Sequence, residues 1–260
     1  MAWSERQVAM LEEMGIRVVA DSHFRDRAAI LDGKQDRSPP APPPSGGEGA
    51  AVAAPPAEAV PLDVASLDWP ALREAVAACR ACRLCERRTN TVFGVGNESA
   101  HWMIVGEAPG EQEDLRGEPF VGKAGQLLDN MLAAIGLTRA TADPARQVFI
   151  ANTLKCRPPG NRNPEPDELA RCEPFLMRQV ALVAPRIILA MGRFAVQSLL
   201  RSDEAVGRLR GRVHHWQGVP LVVTYHPAYL LRNPLDKARA WDDLCLAREV
   251  VARAAEAATP

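Results

Sequence analysis

Four short runs carry the side chains best suited to chemistry. The first is GEAPGEQED, residues 106–114, where Gly106, Pro109 and Gly110 force a tight turn around Ala108. Glycine lets peptide N–H groups approach a ligand closely. Glu107 and Glu113 bring two carboxylates to this turn; such groups orient water or face a developing cation. The second run, PFVGKAG (119–125), supplies an aromatic face, Phe120, and a cation, Lys123. The third begins at Asn152 and continues into KCRPPGNRNP (155–164). An Asn amide offers a donor and an acceptor together, enough to read one base edge. The fourth, HPAYLLRNP (226–234), places two adjacent leucines and Arg232 after His226. Paired leucines in a polar loop suit a wedge pushed into a base stack, with the arginine on a phosphate. Singly, each run also has an ordinary structural reading, as a turn or a loop pinned to the core. Phosphate-loop and dinucleotide patterns are absent: Ala124 follows Lys123, and no G-x-G-x-x-G run occurs in this region.

Alternating strands and helices must position these side chains. HWMIVG (101–106), QVFIANTLK (147–155), RIILAMG (186–192) and VPLVVTYH (219–226) read as strands. GQLLDNMLAAIG (125–136), residues 166–183, RFAVQSLL and the last twenty-odd residues have helical spacing. This order predicts an α/β fold: a central, mainly parallel four-stranded sheet in a three-layer α/β/α sandwich. Ligands of such sheets bind beyond the C-terminal ends of the strands. The four runs all follow strands.

The chain has 260 residues, 47% hydrophobic and 24% charged, as soluble globular proteins have. No run of 18 apolar residues exists, so no membrane span is expected. The N-terminus lacks the basic-then-apolar order of a secretory signal, and a cytoplasmic location is expected. Residues 1–32 read as a segment with an amphipathic helix able to bind a partner protein, and residues 33–64 as a Pro/Ala/Gly-rich linker. Residues 65–260 form the folded domain, with 25 Lys and Arg against 22 Asp and Glu, a balance of +3. That mild basicity permits nucleic-acid binding without requiring it. Nothing in the sequence sets the oligomeric state; a monomer is the expectation.

Six cysteines occur: Cys79, Cys82, Cys85, Cys156, Cys172 and Cys245. In a cytosolic setting such a set points to metal binding or catalysis before disulfides. Four thiolates can hold zinc or an iron–sulfur cluster, and the spacing leaves both open. Cys245, within a helix, reads as an ordinary buried thiol.

GEAPGEQED, PFVGKAGQLL, N-x-x-K-C-R-P-P-G-N-R-N-P and HPAYLLRNP, in this order and interleaved with cysteines, resemble family 4 uracil-DNA glycosylases over about residues 79–245. A related branch that cross-links to DNA carries a His-containing insertion in the second loop. RPPGNRNP has none, so the hydrolytic branch fits better. The resemblance implies base excision repair: uracil is flipped out of single- or double-stranded DNA and its N-glycosidic bond is hydrolysed. It also implies a structural 4Fe–4S cluster on Cys79, Cys82, Cys156 and Cys172, with Cys85 spare, and no divalent metal in catalysis.

On that reading Phe120 stacks on the base, Asn152 reads its O4/N3 edge, and His226 donates to O2, helped by backbone N–H groups near Ala108. The best-known uracil glycosylases carry a water-orienting Asp where this chain has Ala108. Glu107 is therefore the candidate for water and Glu113 for a pocket wall. Leu230 is the first choice for the wedge and Leu231 the second; Lys123 and Arg232 touch phosphates. Competing expectations are a DNA-binding module with a metal staple, a divalent-metal nucleotide hydrolase, and a glycosylase for another lesion such as hypoxanthine.

Overall fold

A computed structural model describes residues 63–257. The expected N-terminal helix and nearly all of the linker lie outside the described residues. Six strands form one sheet in the order β1-β3-β2-β4-β6-β5. The strands are β1 (Val95–Gly96), β2 (Trp102–Gly106), β3 (Phe149–Asn152), β4 (Ile187–Met191), β5 (Val213–Trp216) and β6 (Val219–Thr224). The central four, β3, β2, β4 and β6, are parallel, as the sequence predicts. The sheet is larger than expected, because β1 and β5 add antiparallel edges. Neither edge shows the continuous apolar run of a buried strand: β1 has two residues, and β5 reads Val-His-His-Trp.

Eight helices are described: α1 (Trp69–Ala78), α2 (Glu111–Arg116), α3 (Lys123–Ala134), α4 (Pro166–Val183), α5 (Arg193–Leu200), α6 (Val206–Leu209), α7 (Pro227–Arg232) and α8 (Lys237–Ala257). Each central strand is buried on both faces, as covered parallel strands must be. Met103, Val105, Phe149 and Ala151 pack with Leu72 and Val76 of α1, Leu176 and Val180 of α4 and Val196 of α5. Pleating turns Ile104, Ile150, Leu189 and Val222 to the opposite face, and α8 packs against β4 and β6. Helices thus cover both faces, giving the three layers.

Register brings the functional runs together. Gly106 at the end of β2 pairs with Asn152 at the end of β3. Met191 of β4 pairs with Thr224 of β6, two residues before His226. Residues 226–234, read as a loop from sequence, instead begin with a helix. Pro227 occupies its first turn, where a missing N–H costs nothing, and the His226 side chain caps it by accepting from Ala228 N.

Candidate functional site

Beyond the C-terminal ends of the parallel strands lies a cleft of about 750 Å³. Glu107, Phe120, Asn152 and His226 line it, and Glu113 and Arg232 stand at its walls. The turn after β2, the loop after α2, the end of β3 and the start of α7 therefore meet at one place.

Gly106 makes the meeting possible. A Cβ there would fall 2.4 Å from Asn152 Oδ1 and 2.6 Å from Phe120 Cζ. Phe120 adopts a left-handed backbone conformation, φ 55°, uncommon for a residue with a side chain. Two contacts hold it so. Gly125 lies under its carbonyl, where a Cβ would come within 1.6 Å of the oxygen. Arg139 Nη1 donates to the preceding Pro119 carbonyl at 3.1 Å. The Phe120 ring then stacks on His226, with centroids 5.3 Å apart and planes at 26°.

Asn152 is 2% exposed, and its Oδ1 has no hydrogen-bond partner. A buried polar atom left unsatisfied is costly, and such atoms mark places where a ligand completes the bonding. His226 Nδ1 accepts from Ala228 N at 3.2 Å. An accepting Nδ1 carries no proton, so the neutral ring bears its hydrogen on Nε2. Desolvation, with nearby Arg232, pushes the His226 pKa down to about 4. The imidazole is thus a neutral donor at working pH.

The two glutamates have different surroundings. Burial alone raises the Glu107 carboxyl from 4.5 to about 7. Glu113 instead accepts three backbone bonds: from Val121 N (2.9 Å), Gly122 N (3.1 Å) and Gly110 N (3.1 Å). It ties the start of α2 to the loop that carries Phe120. Asp114, the last acid of the run, accepts from Thr89 N at 2.9 Å and is buried. The carboxylates of the divalent-metal hydrolase reading are thus divided among separate tasks. Among the described residues these carboxylates do not converge as a group of three on one point.

The leucines exchange places relative to expectation. Leu230 is 1% exposed and packed in the core, whereas Leu231 is 45% exposed. A side chain enclosed on all sides cannot enter a base stack while α7 stays folded, so Leu230 is corrected as the first-choice wedge. Lys123 and Arg232 are both exposed.

Beside the cleft, Cys79, Cys82, Cys85, Cys156 and Cys172 line one small cavity with Leu84 and Leu154. Cys156 Sγ accepts from Arg88 Nη1 and Cys172 Sγ from Lys155 N, both at 3.2 Å. Burial raises the thiols of Cys82, Cys156 and Cys172, the last to about 12.

Residues 93–245 match the model of the uracil DNA glycosylase superfamily. The chain belongs to the uracil-DNA glycosylase superfamily. It is 45% identical over 167 residues to the type-4 uracil-DNA glycosylase of Archaeoglobus fulgidus, covering 61% of this chain and 81% of that one. Type-4 enzymes of Saccharolobus solfataricus and Thermotoga maritima are 43% and 42% identical, covering 63% and 64% of this chain and 77% and 84% of theirs. The superfamily match begins at Phe93 and ends at Cys245, spanning all four runs.

Several residues of this superfamily site escape a reading of the sequence. Lys155 looks like a surface lysine in KCRPPG, yet it is 2% exposed. Arg139 and Gln179 support the site from positions remote in sequence, and Gly125 does so from five residues beyond Phe120. Tyr225 and Tyr229 stack at 5.0 Å along the cleft wall. Only the glycine spacing of GKAG offered a signal for any of these.

Proposed function

We propose that this chain binds uracil-containing DNA, turns the uracil out of the stack into the cleft, and hydrolyses its N-glycosidic bond. The products are free uracil and an abasic site. The observation that carries this reading is the buried, unpartnered Asn152 Oδ1 beside a neutral imidazole and a switchable carboxylate.

Asn152 Oδ1 accepts from uracil N3–H while Nδ2 donates to O4. Cytosine presents the opposite pattern at this edge, so both bonds would clash donor against donor and acceptor against acceptor. Phe120 supplies the stacking face. As the bond breaks, electrons move to the base and positive charge grows on the sugar. His226 Nε2–H donates to O2 of the leaving anion without giving up its proton, and N–H groups near Ala108 assist. Glu107 faces the sugar, stabilises its cation when ionised, and accepts the proton of the attacking water. Glu113 holds the turn closed and forms the pocket wall. Leu231 fills the space left by the base; Lys123 and Arg232 bind phosphates.

The cysteine cavity fits an iron–sulfur cluster. Its donors are soft thiols, its walls are apolar, and N–H groups already aim at two sulfurs, a pattern that stabilises thiolates. Cys79, Cys82, Cys156 and Cys172 would hold the 4Fe–4S group, with Cys85 spare. The cluster would serve as a structural tie between the segment after α1 and α4. Thiols in this state suit the cytoplasm. No helix among the described residues is long and apolar enough to cross a membrane. We further propose that the chain acts as a monomer and that residues 1–32 bind a partner protein.

The test is release of uracil from a DNA strand carrying one uracil, in EDTA, with His226→Ala beside the parent. The parent should release uracil and the variant lose about 10²–10³ in rate. No release by iron-loaded parent protein would reject the reading and direct attention to other bases such as hypoxanthine.

A further inference from the structure

Lys155 joins the base-reading side of the molecule to the cysteine side. It is 2% exposed, and a buried ammonium is tolerated only when its protons find acceptors. Its Nζ donates to the Asn152 carbonyl at 2.7 Å and to Gln179 Oε1 at 2.6 Å. Gln179, itself fully buried on α4, donates from Nε2 to the Phe93 carbonyl at 2.8 Å. The backbone of Lys155 is held as firmly. Its N–H donates to Cys172 Sγ at 3.2 Å, and its carbonyl accepts from Val92 N at 2.8 Å.

The Asn152 amide cannot be aimed by its own oxygen, because Oδ1 has no partner in the protein. Its direction is set by packing over Gly106 and by the backbone beneath it. Asn152 is the last residue of β3, so only part of its surroundings is the regular ladder. The Lys155 ammonium fixes the peptide plane that leaves Asn152, and Gln179 fixes the ammonium. We propose that Lys155 is a positioning residue for base recognition, setting the direction of the Asn152 amide through its main-chain carbonyl. This rests on the reading of Asn152 as the residue that contacts uracil.

The test is a double-mutant cycle of Lys155→Met and Asn152→Ala in the iron-loaded, full-length chain. Iron content and thermal melting verify each protein. Binding of free uracil, measured by calorimetry, is read alongside uracil release from DNA. Lys155→Met should weaken uracil binding and slow release by about 10- to 100-fold, as a misplacement on the ångström scale does. In the Asn152→Ala background the same change should cost almost nothing further. Unchanged uracil affinity in Lys155→Met, or a full additional loss in that background, overturns the proposal. Should Asn152→Ala alone leave binding and release intact, the reading of Asn152 fails first, and the proposal with it. Gln179→Met serves where Lys155→Met does not fold. It should produce a smaller loss of uracil affinity with the same dependence on Asn152, and no loss there also overturns the proposal.

Discussion

Glu107 sets stability against activity. Burial lifts its carboxyl from 4.5 to about 7. Between those values the folded chain holds a proton that the unfolded chain has released. Stability therefore falls as pH rises through that window, and above it the fold carries a desolvated carboxylate. Converting the whole shift gives an upper bound of about 3 kcal/mol. The side chain retains contact with solvent in the cleft, which lowers the figure to about 1–2 kcal/mol. Glu107→Gln keeps the shape and removes the charge, so at pH 8 the variant should be the more stable protein. For a domain of this size the gain corresponds to about 2–8 °C in melting midpoint.

The assay is thermal melting of parent and variant, matched for iron content, at pH 8 and pH 5. At pH 5 the parent carboxyl is already protonated when folded, so most of the advantage should disappear. Single-turnover uracil release by the same variant should fall by about 10²-fold or more. A midpoint at pH 8 equal to or below the parent's refutes the argument that Glu107 is held in a desolvated site. An equal gain at both pH values assigns the effect to packing rather than to charge. Retained turnover removes Glu107 from the chemistry while leaving the stability argument in place.

Gly106→Ala should nearly abolish uracil release while leaving the protein folded, since the new Cβ would meet Asn152 Oδ1 at 2.4 Å and Phe120 Cζ at 2.6 Å; a turnover assay with circular dichroism checks both. Leu230→Ala should cost about 2–5 kcal/mol of stability as a core cavity, read by urea unfolding. Leu231→Ala should leave stability unchanged and impair release from duplex DNA more than from single strands. Lys123→Ala and Arg232→Ala should each lower the slope of log affinity against log salt by about 1 without changing base preference, measured by fluorescence anisotropy. The pH–rate profile of the parent should rise through about pH 7 with Glu107. His226→Ala should lower the plateau of that profile without moving its midpoint, because His226 titrates near 4.

The central sheet was legible because its strands are continuous apolar runs, a signal that each segment carries locally. Both antiparallel edges were missed for the opposite reason. A two-residue strand has no periodicity, and His214 and His215 interrupt β5. Helix α7 was read as a loop although Pro227 sits where helices begin; the polar and proline-rich flanks masked a six-residue helix. Candidate site residues were singled out where a strand end and an unusual residue coincide, as at Asn152 and His226, and these two line one cleft. Partnerships were not legible, because they are made across the sequence. The roles of Glu113 depend on amides at 110, 121 and 122, and the burial of Lys155 depends on Gln179. Spacing on one strand cannot reveal a hydrogen bond supplied by another element.

The arrangement separates three electrostatic tasks that a single acidic turn would confuse. A carboxylate close to the leaving base would oppose its departure, and the oxygens of Glu113 are turned instead to three backbone N–H groups. A cationic imidazole would bind the anion more strongly but would also hold phosphate and the uncharged base indiscriminately. Desolvation and the Ala228 N–H donated to Nδ1 keep His226 neutral, so on the proposed reading its donation to O2 strengthens only as charge develops there. That leaves Glu107 as the one group in the cleft whose charge is free to respond near pH 7. On the proposed reading, a sugar cation forming beside it favours the ionised form, so the carboxylate is most stabilising as the bond breaks, and it then accepts the proton of the attacking water.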